Sequence, residues 1–293
     1  MVVDRDLRRM ISETSPTWLR AATAAMNSST PSKVQDQPSW SVIKVVYTTL
    51  QHGKCAFCER KLAQTPDYRP ALRAQDVEHY RPKRAVKAWP PANLAKERGL
   101  KYPDWLELGV RGASGYYRLA HHHWNYTISC PACNQSHKRD YFPIAKSRRL
   151  DGTNPRAMTS EWPYLIFPLG THDDDPEDLI RFDDLLPHPV QSDPMYHDYW
   201  RARVTIDFFD LASEEIITDR ADALHHLATT LELTEIGDTP QVRQKAERVA
   251  AELTSPRARH TACAKAFFRL WTTDRESARR IADRAADILL KRR

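Results

Sequence analysis

With 293 residues, 41% of them apolar and 28% charged, and 20 prolines against 8 glycines, the chain can build one good core or two modest ones, and its composition excludes a repeat or a fibre. Its net charge of +6 is unevenly spread: His52 to Leu150 holds 19 Lys or Arg against 8 Asp or Glu, whereas Asp151 to Arg220 holds 5 against 16. The basic stretch suits a phosphate backbone, and the acidic one suits solvent or a protein partner.

In chain order, residues 1–27 read as a helical lead, with TWLRAATAAM rich in helix formers, and NSSTPSKVQDQP over 27–38 reads as a linker. The early acids of MVVDRDLRRMISETSP and its lack of a continuous apolar run argue against a secretory signal. No stretch approaches the roughly 20 apolar residues of a membrane span, so the expected location is the cytoplasm, away from membranes. WSVIKVVYTTLQHG spaces its apolar groups as a helix and stops at Gly53, just before Cys55.

Next, ERKLAQTPDYRPALRAQ reads as a short strand and then a loop, and DVEHYRPK as a strand stopped by proline. Residues 88–115 read as irregular with one short helix. YYRLAHHHWNYTISC suggests a strand in which one of His121, His122 and His123 is buried and two are solvated, and CNQSHKRDYF has helical composition up to Pro143. HDDDPEDLIRFDD lacks the glycine and terminal glutamate of an EF-hand loop and reads as a solvated loop or docking surface. From RARVTIDFFDL onward the chain reads as helical, and His225 and His226 have no partner in sequence. The expected units are 1–38, a helical lead and linker; 39–150, the core that carries the chemistry; 151–220, an acidic accessory region; and 221–293, a helical region.

Five cysteines, four of them in two CxxC pairs, argue for metal rather than a disulfide framework. Residues 59–129, 71 in all, separate the Cys55 and Cys58 pair from Cys130 and Cys133, and two such turns close a tetrahedral four-thiolate zinc shell. A closed shell has no place for water, so this zinc is structural. Four unconnected buried cysteines or a redox CxxC are the competing readings. Cys263, in RHTACAKAFFRLW, reads as a buried small hydrophobe.

Between the cysteine pairs stand His79, a base that titrates near neutral pH, and Glu78, a hard oxygen donor suited to Mg²⁺ or Mn²⁺. Phosphodiester hydrolysis needs both a base for water and a cation for the developing charge. Asp76 is a candidate outer partner of the metal or a turn cap. Arg81, Lys83 and Arg84 follow the pair, and Lys138, Arg139, Arg148 and Arg149 follow the second CxxC, as candidate phosphate contacts.

DVEHYRPK, WN and CPACNQSHK together resemble the HNH nuclease motif, a zinc-stapled ββα-metal fold. KCAFCE, EHYRPK, YYRLAHHHWNYTISCPACN, YFP and RARVTIDFFDL are similar to the bacterial anti-phage HNH family of Septu PtuB subunits and retron-associated HNH proteins. The resemblance covers most of residues 50–220. It implies an α+β fold, with the HNH core embedded in a mainly helical protein. It assigns His79 as general base and Glu78 as metal ligand, matches Asn125 to the middle position, which orients His79, and puts Asn134 at the last, metal-binding position. Where many such motifs read CNxxK this chain reads CNQSHK, which leaves His137 as a rival metal ligand or a phosphate contact.

The resemblance implies an endonuclease that cuts DNA ahead of RNA in anti-phage defence, gated by an ATPase subunit of the PtuA kind. The alternatives are a zinc-stapled nucleic-acid-binding module without catalysis and a stand-alone RNA-cleaving toxin.

Overall fold

The computed structural model describes residues 3–62, 76–112 and 114–291. Much of the segment read as strand and loop after Cys58 lies outside the described residues, as does the side chain of Asp76. Asp4 and Asp6 occupy the first turn of α1 (Asp4–Thr14), where carboxylates complement the helix dipole, and Leu7 and Ile11 bury one face. α2 (Trp18–Ser28) repeats the pattern with Trp18, Ala22 and Ala25. After a 3₁₀ turn, Trp40–Ile43, comes α3 (Lys44–Leu50). Gly53, at φ +66°, closes this segment by donating to the Thr48 carbonyl at 2.8 Å.

α3 lies against an antiparallel pair made of β1 (Asp76–His79) and β2 (Tyr126–Ser129). The register pairs Glu78 with Thr127 and His79 with Tyr126. β2 is buried along its length, with Trp18 and Tyr47 edge-on to Tyr126 at 6.2 and 5.9 Å between ring centres. The long connection between the two strands carries α4 (Ala92–Arg98) and two 3₁₀ turns, Tyr117–Leu119 and His123–Asn125. The three histidines thus lie ahead of the strand, not in it. His121 and His123 are buried, which corrects the expectation of a single buried histidine, because Gln35 and Asp4 supply them with partners.

The C-terminal part begins with α5 (Pro176–Leu179) and the hairpin of β3 (Ile180–Asp183) and β4 (Leu186–Pro189). There follow α6 (His197–Phe208), α7 (Glu214–Ile236), α8 (Pro240–Leu253), α9 (Thr261–Thr273) and α10 (Arg275–Leu290). Thr239 caps α8 ahead of a proline at its first position, and Asp274 caps α10. Among the described residues the architecture is mixed, helix-rich with two small sheets, and no helix is long and apolar enough to cross a membrane.

Among the described residues, buried apolar side chains form two clusters. One joins α1, α2, α3, the β1–β2 pair and α6, and the other joins α7, α9 and α10 with Leu185 and Ala250. Their junction is the first CxxC turn. Arg60 pairs with Glu215 and Asp219 of α7 at 2.7 and 3.3 Å, and Lys54 reaches Glu59 and Thr261. Phe57 stacks on Phe209 at 4.0 Å. Part of the acidic stretch is matched within the chain: Asp173 and Asp174 pair with Arg201, and Asp184 with Arg284. HDDDPEDLIRFDD, read as a solvated loop or docking surface, holds α5 and β3 rather than a plain loop, and most of its carboxylates are exposed.

Two stability tests follow from these ion pairs. Arg81 and Glu161 form a pair at 3.0 Å with side chains 3% and 0% exposed, so Glu161→Ala strands a buried guanidinium and should cost about 3–5 kcal/mol by urea unfolding. Burial alone would raise the Asp219 carboxyl, but His260, Arg259 and Arg60 outweigh it and hold its pKa at about 2. A depressed carboxyl contributes stability above its unfolded pKa of about 4 and loses it as pH falls through the folded value. The stability gap between wild type and Asp219→Asn should therefore close between about pH 4 and pH 2, read as unfolding midpoints.

Candidate metal centre and catalytic cleft

Gln51 prepares the metal centre by acting as an extra strand neighbour for β2. Its Nε2 donates to the Ile128 carbonyl at 2.6 Å, and its Oε1 accepts the Ile128 N–H at 2.8 Å. The Ala56 N–H then donates to the same Ile128 carbonyl at 3.0 Å, so the first CxxC turn lies beside the end of β2, where Cys130 begins the second. The sulfurs of Cys55, Cys58, Cys130 and Cys133 lie within 4.8 Å of one another, and those of Cys58 and Cys130 are 3.7 Å apart. A regular tetrahedron with zinc–sulfur bonds of about 2.3 Å has edges of about 3.8 Å. The four thiols fit zinc. Cys133, Cys55 and Cys58 draw the Cys130 thiol far down, toward the thiolate a metal requires. Cys263 is buried in the second cluster, far along the chain from these turns.

A cleft of about 420 Å³ opens beside this centre, lined by Glu78 and His79 of β1, by Lys83 and Arg84, and by Asn134 and Arg139. His79 Nε2 lies 3.0 Å from the Ala120 carbonyl. A carbonyl only accepts, so Nε2 carries the proton and Nδ1 the lone pair. Tyr126 holds the ring in place, meeting it edge-on at 5.0 Å and donating its hydroxyl to the same carbonyl at 2.5 Å. Burial, then the Lys83 ammonium, pushes the His79 pKa down to about 3, so the ring is neutral near pH 7.

Asn125 is fully buried and does not touch the cleft. Its Oδ1 accepts the Arg81 N–H at 2.8 Å, and its Nδ2 donates to the Arg81 and Leu119 carbonyls at 3.0 and 3.1 Å. One amide therefore ties the chain just after His79 to the chain just before Ala120, the residue that orients His79. Sequence reasoning placed Asn125 in that loop but had no signal for Ala120, which acts through its backbone, or for Tyr126.

The helix after the second CxxC is a π-helix, Ala132–Lys138, with Arg139 N–H bonded to the Asn134 carbonyl at 2.9 Å. Bonding from i to i+5 takes one residue more per turn than an α-helix. Asn134 to Arg139 forms one such wide turn. Lys138 thereby turns inward, 0% exposed, with its Nζ 3.5 Å from Glu78 Oε1 and 2.9 Å from the Tyr141 carbonyl. His137 turns away instead: its Nδ1 accepts from Arg98 at 3.0 Å, and it does not line the cleft with Glu78 and Asn134.

The basic residues divide in the same way. Lys83, Arg84 and Arg139 border the cleft, and Arg84 and Arg139 are exposed. Arg81 and Lys138, expected among the phosphate contacts, are buried, because each neutralises a buried carboxylate, Glu161 and Glu78 respectively. Arg148 points back into the fold, donating to the Phe142 and Val110 carbonyls, and Arg149 donates to the Ala157 carbonyl.

No protein-family model and no solved structure matches the chain. The chain is similar to a Septu protein. Over 142 residues it is 31% identical to the Septu protein PtuB of Bacillus mycoides (strain KBAB4), a match that covers 48% of this chain and 39% of that protein. The alignment thus spans about two fifths of the relative's length.

The thiol geometry leads to a metal test. Purified protein is expected to carry one zinc per chain, and Cys133→Ser should lose the metal and several degrees of thermal midpoint, as should chelation of the wild type. Elemental analysis and calorimetry check this, and a zinc-free wild type with an unchanged midpoint after chelation counts against it.

Proposed function

We propose that this protein is a metal-dependent HNH endonuclease, cutting DNA in preference to RNA, and that it serves as the nuclease effector of an anti-phage defence system. The observation that carries the reading is the cleft in which His79, Glu78 and Asn134 meet under a rim of Lys83, Arg84 and Arg139, next to four thiols spaced for zinc. The similarity to Septu PtuB supports the defence role, and with it an ATPase partner of the PtuA kind.

In this mechanism His79 Nδ1 takes a proton from the attacking water, while the Ala120 carbonyl and the Tyr126 edge keep the ring from rotating. The phosphate anion, once in the cleft, works against the Lys83 contribution and makes His79 more basic. Lys83, Arg84 and Arg139 hold the backbone by charge, without reading bases. Glu78 and Asn134 offer oxygens to a divalent cation, which when bound would neutralise charge developing on the phosphate and the leaving oxygen. Lys138 faces Glu78 inside the protein, its Nζ 3.5 Å from Oε1.

A zinc-stapled binding module is the second reading. The Glu78–Lys138 pair is the observation on its side, since it already engages the carboxylate assigned to the cation.

Plasmid DNA and total tRNA incubated with Mg²⁺ or Mn²⁺ decide between them. Wild type is expected to cut, and His79→Ala to cut at least about 10²-fold more slowly with unchanged zinc content and unfolding midpoint. If zinc-loaded wild type cuts neither substrate, alone or with a PtuA-like ATPase and ATP, the binding-module reading stands and the nuclease reading falls.

A further inference from the structure

Behind the catalytic strand lies a second cavity, of about 290 Å³, which shares no lining residue with the cleft. Arg8 of α1, Arg118, the three imidazoles His121, His122 and His123, and Thr153 line it together with Thr23 and Asn27 of α2, and among the described residues no carboxylate does. The carboxylate at hand, Asp4, is engaged by His123 Nε2 at 2.8 Å and Trp124 Nε1 at 2.6 Å. Arg8 and Arg118 are exposed, and Arg118 lies over the Tyr117 ring at 5.8 Å. His121 is 3% exposed; its Nε2 donates to the Gln35 carbonyl at 2.8 Å, and its Nδ1 is buried without a partner. A buried ring nitrogen without a partner is costly.

We propose that this cavity binds a small anion bearing a phosphoryl group, and that it is an effector site for the cleft. Two guanidiniums, a threonine hydroxyl and imidazole groups in a carboxylate-free pocket match the several acceptor oxygens of a phosphoryl group. Ala120, directly before His121, is the residue whose carbonyl receives both His79 and Tyr126. An occupant pressing on His121 therefore moves the acceptor that orients His79. The effector half rests on the reading of His79 as the base; the binding half does not.

The test titrates the zinc-loaded full chain with inorganic phosphate, pyrophosphate and AMP by calorimetry, beside the double variant Arg8→Ala/Arg118→Ala, whose changed residues are exposed and outside the cleft. Wild type is expected to bind at least one of the three, and the double variant to bind it about tenfold more weakly or worse. Comparison of the three ligands tells free phosphate from a nucleotide. The His79 imidazole NMR signal, assigned with His79→Gln, should shift on saturation. No binding by wild type at millimolar ligand, or equal binding by both proteins, overturns the site. Binding that leaves the His79 signal unmoved overturns the effector half. A failed cleavage assay touches neither the calorimetry nor the binding claim.

Discussion

Four sulfurs brought within 4.8 Å of one another, from turns 71 residues apart in sequence, set the frame on which the cleft is built. Loop-closure entropy grows only slowly with length, so a long insertion between the two turns adds little to what the closure must overcome. The second turn continues straight from β2 into the π-helix, and the first is bonded to β2 through Ile128. One cluster thereby fixes where β2 ends and where Asn134 and Lys138 start. β1 pairs with β2, so Glu78 and His79 are placed by the same frame.

Within that frame, orientation passes through buried polar groups rather than through the cleft itself. Asn125 joins the two chain segments that flank His79 and its acceptor, and Tyr126 shares that acceptor. Each of these bonds lies out of solvent, where losing one leaves a partner unsatisfied, so the site is stiff on its inner side. Its outer side is different. Lys83, Arg84 and Arg139 stand where a phosphate backbone could run, and Arg84 and Arg139 are exposed to solvent.

The C-terminal helices hold the zinc turn from outside. Glu215 and Asp219 of α7 meet Arg60, and the start of α9 meets Lys54 and Glu59. Much of the acidic charge that follows residue 150 is thus matched by arginines of the same chain.

What was legible in the sequence was local. The CxxC spacing, the Glu78-His79 step on a strand, the Gly53 stop and the amphipathic C-terminal helices follow from residue types a few positions apart, which is the range over which helix period, strand alternation and ligand spacing operate. The division of the basic residues was not legible. Arg81 and Lys83 are two residues apart, yet one is buried on Glu161, 80 positions away, and the other borders the cleft. Nor does CNQSHK announce that the helix widens to i+5 bonding and turns Lys138 toward Glu78 while His137 goes to Arg98. By itself the sequence determined which side chains were candidates for chemistry and which four thiols could hold a metal. The tertiary structure decided which of them are buried in ion pairs and which share a cleft, because burial and pairing depend on partners that only folding brings near.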